Sequence, residues 1–215
     1  MDPETRFLSG LIELQYGQKV EQKLKNFSHK VPWAHGWPEN QKAFWNAEAF
    51  MWQRKIGKEK RRLIEQKLEF LQGKNNLDVG CGAYSYIPSV GIDFSEKMLQ
   101  FNDTCSQKIN TDLEEKLPLQ EKTFDSATAI FVLNYLHKTD QLLQEIYRVL
   151  KEKGYLVVVL WSKRLNPLHQ QKEQNHHPSP IWMKKITSAG FEVQFSEKEG
   201  IWFFIGQKGR KLIKD

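Results

Sequence analysis

The chain has 215 residues, 40% of them hydrophobic and 27% charged, with a formal net charge of +6 at pH 7. That length suits one α/β domain with an N-terminal extension and is too short for two ordinary domains and a linker. No run approaches the roughly 18 apolar residues of a membrane helix, "MDPETRFLSG" lacks the regions of a signal peptide, and two cysteines without metal-ligand spacing exclude a disulfide framework; a cytoplasmic protein with no membrane partner and no metal is the expectation.

Charge is uneven along the chain: residues 1–76 carry 14 basic and 9 acidic side chains, residues 77–160 carry 8 and 12, and residues 161–215 carry 10 and 5. Basic flanks suit a polyanion such as RNA, but "RKIGKEKRRLIEQK" (Arg54 to Lys67) is more simply the solvated face of a helix. Nucleic acid is therefore not the favoured partner.

In chain order, "VPWAHGWPENQKAFWNAEAFMW" (Val31 to Trp52) holds four of the seven tryptophans. Trp33, His35 and Trp37 sit between prolines in an irregular stretch and read either as a lid over substrate or as packing. Trp45, Trp52, Ile56, Leu63, Ile64, Leu68 and Leu71 recur mostly at three- and four-residue intervals, which predicts helices with one buried stripe, divided at Gly57 and ended at Gly73. Trp45 and Trp52 are expected to pack those helices onto the rest. Residues 1–72 are thus read as a helical extension and residues 73–215 as the domain.

Short apolar runs then alternate with helix-like stretches: Leu77 to Val79, Val90 to Ile92, Lys108 to Asn110, Ser126 to Val132 and Tyr155 to Trp161. Alternation of this kind predicts a doubly wound α/β fold with a mostly parallel sheet. "KTDQLLQEIYRVLKEKG" offers Thr139 as N-cap, an apolar stripe at Leu142, Ile146, Val149 and Leu150, and Gly154 as the stop. "NPLHQQKEQNHHPSP" (Asn166 to Pro180) reads as a polar loop, and "PSPIWMKKITSAG" as a helix capped by Ser179. "FEVQFSE" and "GIWFFIGQK" should pair as an antiparallel hairpin, which makes seven strands.

The chemistry lies in "NLDVGCGAYSYIPSVGIDFSEKML" (Asn76 to Leu99), where Gly80 and Gly82 follow an apolar run and Asp93 closes the next one. A glycine turn leaving a strand exposes backbone N–H groups and lets a ligand approach without meeting a Cβ, and an acid after the second strand can accept from ribose hydroxyls. Nicotinamide dinucleotides and S-adenosylmethionine (SAM) both use this arrangement. The dinucleotide fingerprint wants a third glycine where Ser85 stands and its acid about 20 residues on. Asp78, two residues before Gly80, would repel a pyrophosphate and suits an ammonium group; it could instead cap the turn.

With these residues the chain resembles the class I SAM-dependent methyltransferases of the methyltransferase domain 11 type. The matching blocks are "LDVGCG" (Leu77 to Gly82), "GIDFSEKML" (Gly91 to Leu99), "INTDLEEKLPLQEKTFDSATAIFVLNYL" (Ile109 to Leu136) and "EIYRVLKEKGYLVVVLW" (Glu145 to Trp161). The resemblance implies strand order 3-2-1-4-5-7-6 with the last strand antiparallel, and SAM as cofactor. It also implies Asp78, Gly80 and Gly82 along the methionine end, Asp93 on the ribose with Phe94 beside the adenine, Asp112 and Leu113 at the adenine, and Phe131 and Val132 facing the sulfonium. In two places the chain departs from the pattern: Tyr84 replaces a glycine, and only Ala83 to Ser89 separates Gly82 from the second strand, so a vestigial crossover helix is expected.

Asn134, Tyr135 and His137 fall just past the fourth strand, at the edge where open α/β sheets bind ligands, and are the candidates to orient or deprotonate an acceptor. The expected activity is methyl transfer to an acceptor that is a small molecule, with protein or RNA as the alternative. A nicotinamide-dependent oxidoreductase and a cofactor-binding protein without catalysis are the rival readings.

Overall fold

The computed structural model describes residues 1–163 and 166–209; residues 164–165, residues 210–215 at the end of the expected domain range and the side chains of residues 53 and 54 lie outside the described residues. The extension forms helices α1 (Pro3–Gln15), α2 (Glu21–Ser28), α3 (Gln41–Ala49), α4 (Trp52–Lys55) and α5 (Lys58–Leu68). Strand β1 (Asn76–Val79) leads through a helix-free crossover to β2 (Ser89–Asp93) and helix α6 (Glu96–Phe101), followed by β3 (Cys105–Asn110) and β4 (Phe124–Ile130). Helix α7 (Thr139–Val149), β5 (Leu150–Trp161), α8 (Pro167–Gln170), α9 (Ser179–Ser188), β6 (Phe191–Lys198) and β7 (Ile201–Lys208) complete the order.

The seven strands make one sheet in the order β3-β2-β1-β4-β5-β7-β6, as expected. β7 runs antiparallel to both of its neighbours, whereas the pairs from β3 to β5 are parallel. Leu156 to Leu160 are buried on both faces, which is why the middle of β5 is uniformly apolar rather than alternating. Side chains still alternate between faces along this strand. Val157 and Val159 join one apolar cluster with the extension, whereas Leu156, Val158 and Leu160 join the other with α7 and α9.

Three local expectations are corrected. α7 ends at Val149 and the chain enters β5 at once, so Gly154 lies inside the strand, where a Cβ would come within 2.9 Å of the Lys151 carbonyl. Thr139 and Ser179 are the first residues of α7 and α9 rather than their caps, and Lys138 and Pro178 hold the cap positions. The stretch read as a polar loop contains α8, capped by Asn166, whose Oδ1 accepts from the His169 N–H.

The crossover from Gly80 to Pro88 carries no helix at all. Ala83, Tyr86 and Ile87 instead share an apolar cluster with Leu63, Ile64, Leu68 and Leu71, so α5 and the turn after it cover the strip that a crossover helix would cover. The basic side of α5 is only partly solvated. Lys60 lies 4.6 Å from the Trp161 ring centroid, Arg61 4.9 Å from that of Tyr84, and Lys67 5.6 Å from that of Phe203.

Candidate active site

The site is built on the turn after β1. Gly80 and Gly82 have φ of +66° and +57°, and a Cβ on Gly80 would lie 2.4 Å from Val132 Cγ2, so neither backbone conformation nor space admits a side chain there. The Gly80 and Cys81 N–H groups both donate to the Ile92 carbonyl, at 2.8 and 3.1 Å. Asp93 ties the rest of the turn: its Oδ2 accepts from the Gly82 N–H at 3.0 Å and its Oδ1 from the Ser95 N–H at 2.8 Å. A carboxylate offers about four lone-pair sites, so Asp93 keeps accepting capacity for a ligand. Asp78 does not cap the turn; its Oδ1 accepts from the Thr128 hydroxyl at 2.7 Å.

Burial raises both carboxyls to about 6, in Asp78 against hydrogen bonds from Ser85 and Thr128, and in Asp93 against backbone N–H donors including those of Ser95 and Gly82. The neighbouring charge of Asp93 adds to the rise at Asp78. Two buried carboxyls beside one turn make a site that gains from a cation.

A cavity of about 330 Å³ opens at the carboxyl ends of the central strands. Of the residues singled out in the sequence, Gly80, Gly82, Asp93, Phe94, Asp112, Leu113, Phe131, Val132, Tyr135 and His137 line it. Phe131 has φ of +57°, an uncommon conformation for an aromatic residue, and its ring stacks on Trp161 at 4.5 Å. Asp112 is exposed and accepts from the Glu114 N–H, while Glu114 itself lines the cavity and accepts from the His137 N–H.

Asp78 lines an adjoining void of about 10 Å³ that shares Gly80, Trp52, Ile130 and Phe131 with the main cavity. That is room for one water-sized group. Tyr86 lines the same void, and its hydroxyl is buried without a hydrogen-bond partner among the described residues. Burial pushes this hydroxyl upward, with the nearby Asp78 carboxylate adding to the shift against the opposing Arg61 charge. Tyr84, which stands in place of the expected glycine, points its hydroxyl at Glu65, 2.7 Å away.

Asn134 does not line the cavity: its carbonyl accepts from the Gln174 and Asn175 N–H groups at 2.8 and 3.0 Å, and its side-chain amide reaches Glu173 and the Tyr135 hydroxyl. Trp33, His35 and Trp37 do not line the cavity. Trp33 stacks on Phe50 and donates to Glu4, Trp37 packs edge-on against Phe7, and His35 against His29. The tryptophans that wall the cavity are Trp45 and Trp52, the pair at helical spacing. A stripe that buries one helix face and walls a cavity reads the same in sequence as one that only packs.

Gln41, Met98 and Gln174 also line the cavity and carried no sequence signal. Tyr86 had one, since a tyrosine in a clipped crossover has to go somewhere. Among the described residues no cluster of His, Cys, Asp and Glu could hold a metal ion, and no helix is long and apolar enough to cross a membrane.

A family model for the methyltransferase domain matches residues 77–158. A demethylmenaquinone methyltransferase of Lactobacillus johnsonii is 32% identical over 127 residues, which cover 50% of this chain and 52% of that one. A demethylmenaquinone methyltransferase of Staphylococcus saprophyticus is 28% identical over 171 residues, 71% of this chain and 73% of its own. The chain thus spans about half the length of the first of these curated relatives. Among solved structures, a SAM-dependent methyltransferase of Thermotoga maritima aligns with a TM-score of 0.60 at 18% identity, over 76% of this chain and 98% of that one. The cofactor to which the domain and these neighbours point is SAM. The turn, the two buried carboxyls and the order of the strands around them fit a class I methyltransferase domain, whose family model matches this chain over residues 77–158.

Proposed function

We propose that the protein is a SAM-dependent methyltransferase whose acceptor is a small, largely apolar molecule. The observation that carries the reading is that Asp78 and the Tyr86 hydroxyl, which has no hydrogen-bond partner among the described residues, line one water-sized void beside the glycine turn. An ammonium group there would gain a carboxylate and a hydroxyl acceptor at once, and both buried groups would gain a partner. A pyrophosphate would gain neither.

In this reading Asp93 takes the two ribose hydroxyls on its remaining lone pairs, while Phe94, Met98 and Leu113 supply apolar contact for the adenine and Asp112 accepts from its amino group. When bound, SAM supplies an electrophilic methyl group on a sulfonium centre. Trp52, Phe131 and Tyr135 present aromatic surface around that position and exclude water from it, which favours an in-line displacement without an enzyme nucleophile. Trp45 and Trp52 roof the cavity, so a flat apolar acceptor fits more readily than an RNA strand or a folded protein surface. The relatives named for menaquinone methylation point the same way.

Titration calorimetry with SAM, S-adenosylhomocysteine and NAD tests the reading. SAM and S-adenosylhomocysteine are expected to bind and NAD is not; NAD binding without SAM binding overturns it.

A further inference from the structure

Behind the glycine turn the two cysteines of the chain meet. An ideal Cβ on Gly91 of β2 would lie 2.2 Å from Cys105 Sγ and 2.9 Å from Cys81 Sγ, so both sulfurs occupy the space that a side chain at position 91 would take. The Cys81 thiol donates to the Cys105 sulfur. One side chain also ties the two backbones together: the Asn102 amide donates to the Cys81 carbonyl at 3.4 Å and to the Gly82 carbonyl at 3.0 Å, and its Oδ1 accepts from the Cys105 N–H at 3.2 Å.

The two thiols differ in reactivity. The hydrogen bond from Cys81 holds the Cys105 thiol below its ordinary value, with the Ser85 and Ser89 hydroxyls helping against burial and the Asp78 charge. Ser85 Oγ lies 3.2 Å from that sulfur. The same hydrogen bond pushes Cys81 up, and burial with the charges of Asp78 and Asp93 pushes it further. Cys105 is therefore the thiolate of the pair and Cys81 the thiol.

Access divides them in the same way. Cys81 is buried, whereas Cys105 is half-buried at the start of β3, an edge strand whose Ser106, Gln107 and Lys108 are exposed. An oxidant can approach Cys105 from the edge of the sheet, away from the cavity, which Cys105 does not line. Two small apolar residues would fill the same space. What two thiols add is a nucleophilic sulfur open to solvent with a resolving sulfur behind it.

We infer that Cys81 and Cys105 are a thiol–disulfide switch: a hydroperoxide oxidises them to an intramolecular disulfide, and the disulfide weakens SAM binding by displacing the glycine turn. The disulfide stands on the placement of the sulfurs, whereas its effect on SAM rests on the methyltransferase reading.

In the first step the Cys105 thiolate attacks one oxygen of hydrogen peroxide, the O–O bond breaks with its electron pair on the other oxygen, and hydroxide leaves Cys105 as a sulfenic acid. The Cys81 sulfur then attacks the Cys105 sulfur. The S–S bond forms, the S–O bond breaks with its electron pair on oxygen, and the Cys81 proton departs with that oxygen as water. Two electrons have passed from the sulfurs to the peroxide, and a dithiol returns them.

A disulfide brings its sulfurs to about 2.05 Å, closer than any thiol–thiol hydrogen bond, so the backbone that carries them must shift. The turn has no slack to absorb this: a Cβ on Gly80 would meet Val132 and one on Gly82 would meet Trp52 Nε1. Cys81 itself lines the void that it shares with Asp78 and Tyr86. Drawing it towards β3 stretches the bonds from the Gly80 and Cys81 N–H groups to the Ile92 carbonyl and from the Gly82 N–H to Asp93, and reshapes the seat of the ammonium group. By linkage, SAM opposes the disulfide by the same factor by which the disulfide opposes SAM.

The test treats the reduced protein with a small molar excess of hydrogen peroxide, blocks remaining thiols with iodoacetamide and digests with trypsin without reductant. Cleavage after Lys97 puts the two cysteines on separate peptides, so mass spectrometry reads their cross-link directly. A Cys81–Cys105 cross-link within one chain is expected, reversed by dithiothreitol and absent from Cys105→Ser. Titration calorimetry should show SAM binding about tenfold weaker after oxidation and restored by reduction. Cys105→Ser should bind SAM as the reduced wild type does, with or without peroxide. The tenfold loss should return as a rise of about 30 mV in the disulfide's reduction potential at saturating SAM. Hydrogen exchange at the Gly80, Cys81 and Gly82 amides should quicken on oxidation, a readout that needs no cofactor. Both thiols still alkylated after peroxide, a sulfinic acid at Cys105 in place of the cross-link, cross-links between chains, or a cross-linked protein with unchanged SAM affinity each overturn the switch. Reduced wild-type protein that does not bind SAM overturns the methyltransferase reading instead, and the cross-link with the amide exchange then decides whether the disulfide forms and moves the turn.

Discussion

At Asp78 and Asp93 the site and its pH dependence are the same fact. Each carboxyl is carried from 3.8 to about 6 by burial, so between those values the folded chain holds protons that the unfolded chain releases. Ligand-free stability should therefore fall as pH rises through that window, by about 3 kcal/mol at most for each group. A cationic ligand needs the ionised forms, so SAM affinity should rise about tenfold or more between pH 5 and pH 7. Calorimetric titrations across that range check it; a flat dissociation constant would detach the two carboxyls from the ligand. Tyr86→Phe separates structure from binding more sharply. Removing a partnerless buried hydroxyl should leave the ligand-free melting temperature unchanged or higher, yet weaken SAM binding by about tenfold, the loss of a hydrogen bond to a charged group. Asp93→Ala should weaken binding by tens-fold or more and also loosen the turn, because the same carboxylate holds the Gly82 and Ser95 N–H groups.

Among the elements, the N-terminal helices matter most, because they are roof and core together. Phe7, Phe44, Leu63, Ile64 and Leu68 belong to the same apolar cluster as Val157, Val159 and Phe203 of the sheet. A chain started at residue 73 would expose that sheet face, and we expect it to lose near-ultraviolet circular dichroism and to aggregate. A monomeric product with the native spectrum would make residues 1–72 a detachable lid instead. Trp52 is the point where roof and turn meet, since a Cβ on Gly82 would lie 3.0 Å from its Nε1. Trp52→Ala should cost about 3–5 kcal/mol, the usual loss for a buried tryptophan, and should speed release of SAM.

For the whole molecule, ligand binding and folding are linked by mass action. SAM at about 100 times its dissociation constant should stabilise the fold by about 2.7 kcal/mol, a rise of about 5–10 °C in melting temperature for a chain of this size. Differential scanning fluorimetry with SAM and with NAD reads this directly. No shift with SAM would place the ligand elsewhere.

The sequence by itself determined the sheet and the turn. Apolar runs at strand spacing, glycines at positions of positive φ and an acid at the end of the second run are local requirements, so they are written in adjacent residues and could be read there. It also placed Gly80, Gly82, Asp93, Phe94, Asp112, Leu113, Phe131, Val132, Tyr135 and His137 among the site candidates, and all of these line one cavity. Only the tertiary structure decided what faces that cavity from far along the chain. Trp45 and Trp52 serve as its wall while Trp33 and Trp37 pack elsewhere, because helical spacing states which residues share a face and not what that face meets. His169 is the clearest case: its neighbours in sequence are polar and exposed, and its partners Glu48 and Tyr135 stand 121 and 34 positions away. Contacts at that separation are made by the packing of α3 and α8 over the sheet, and no local pattern records them.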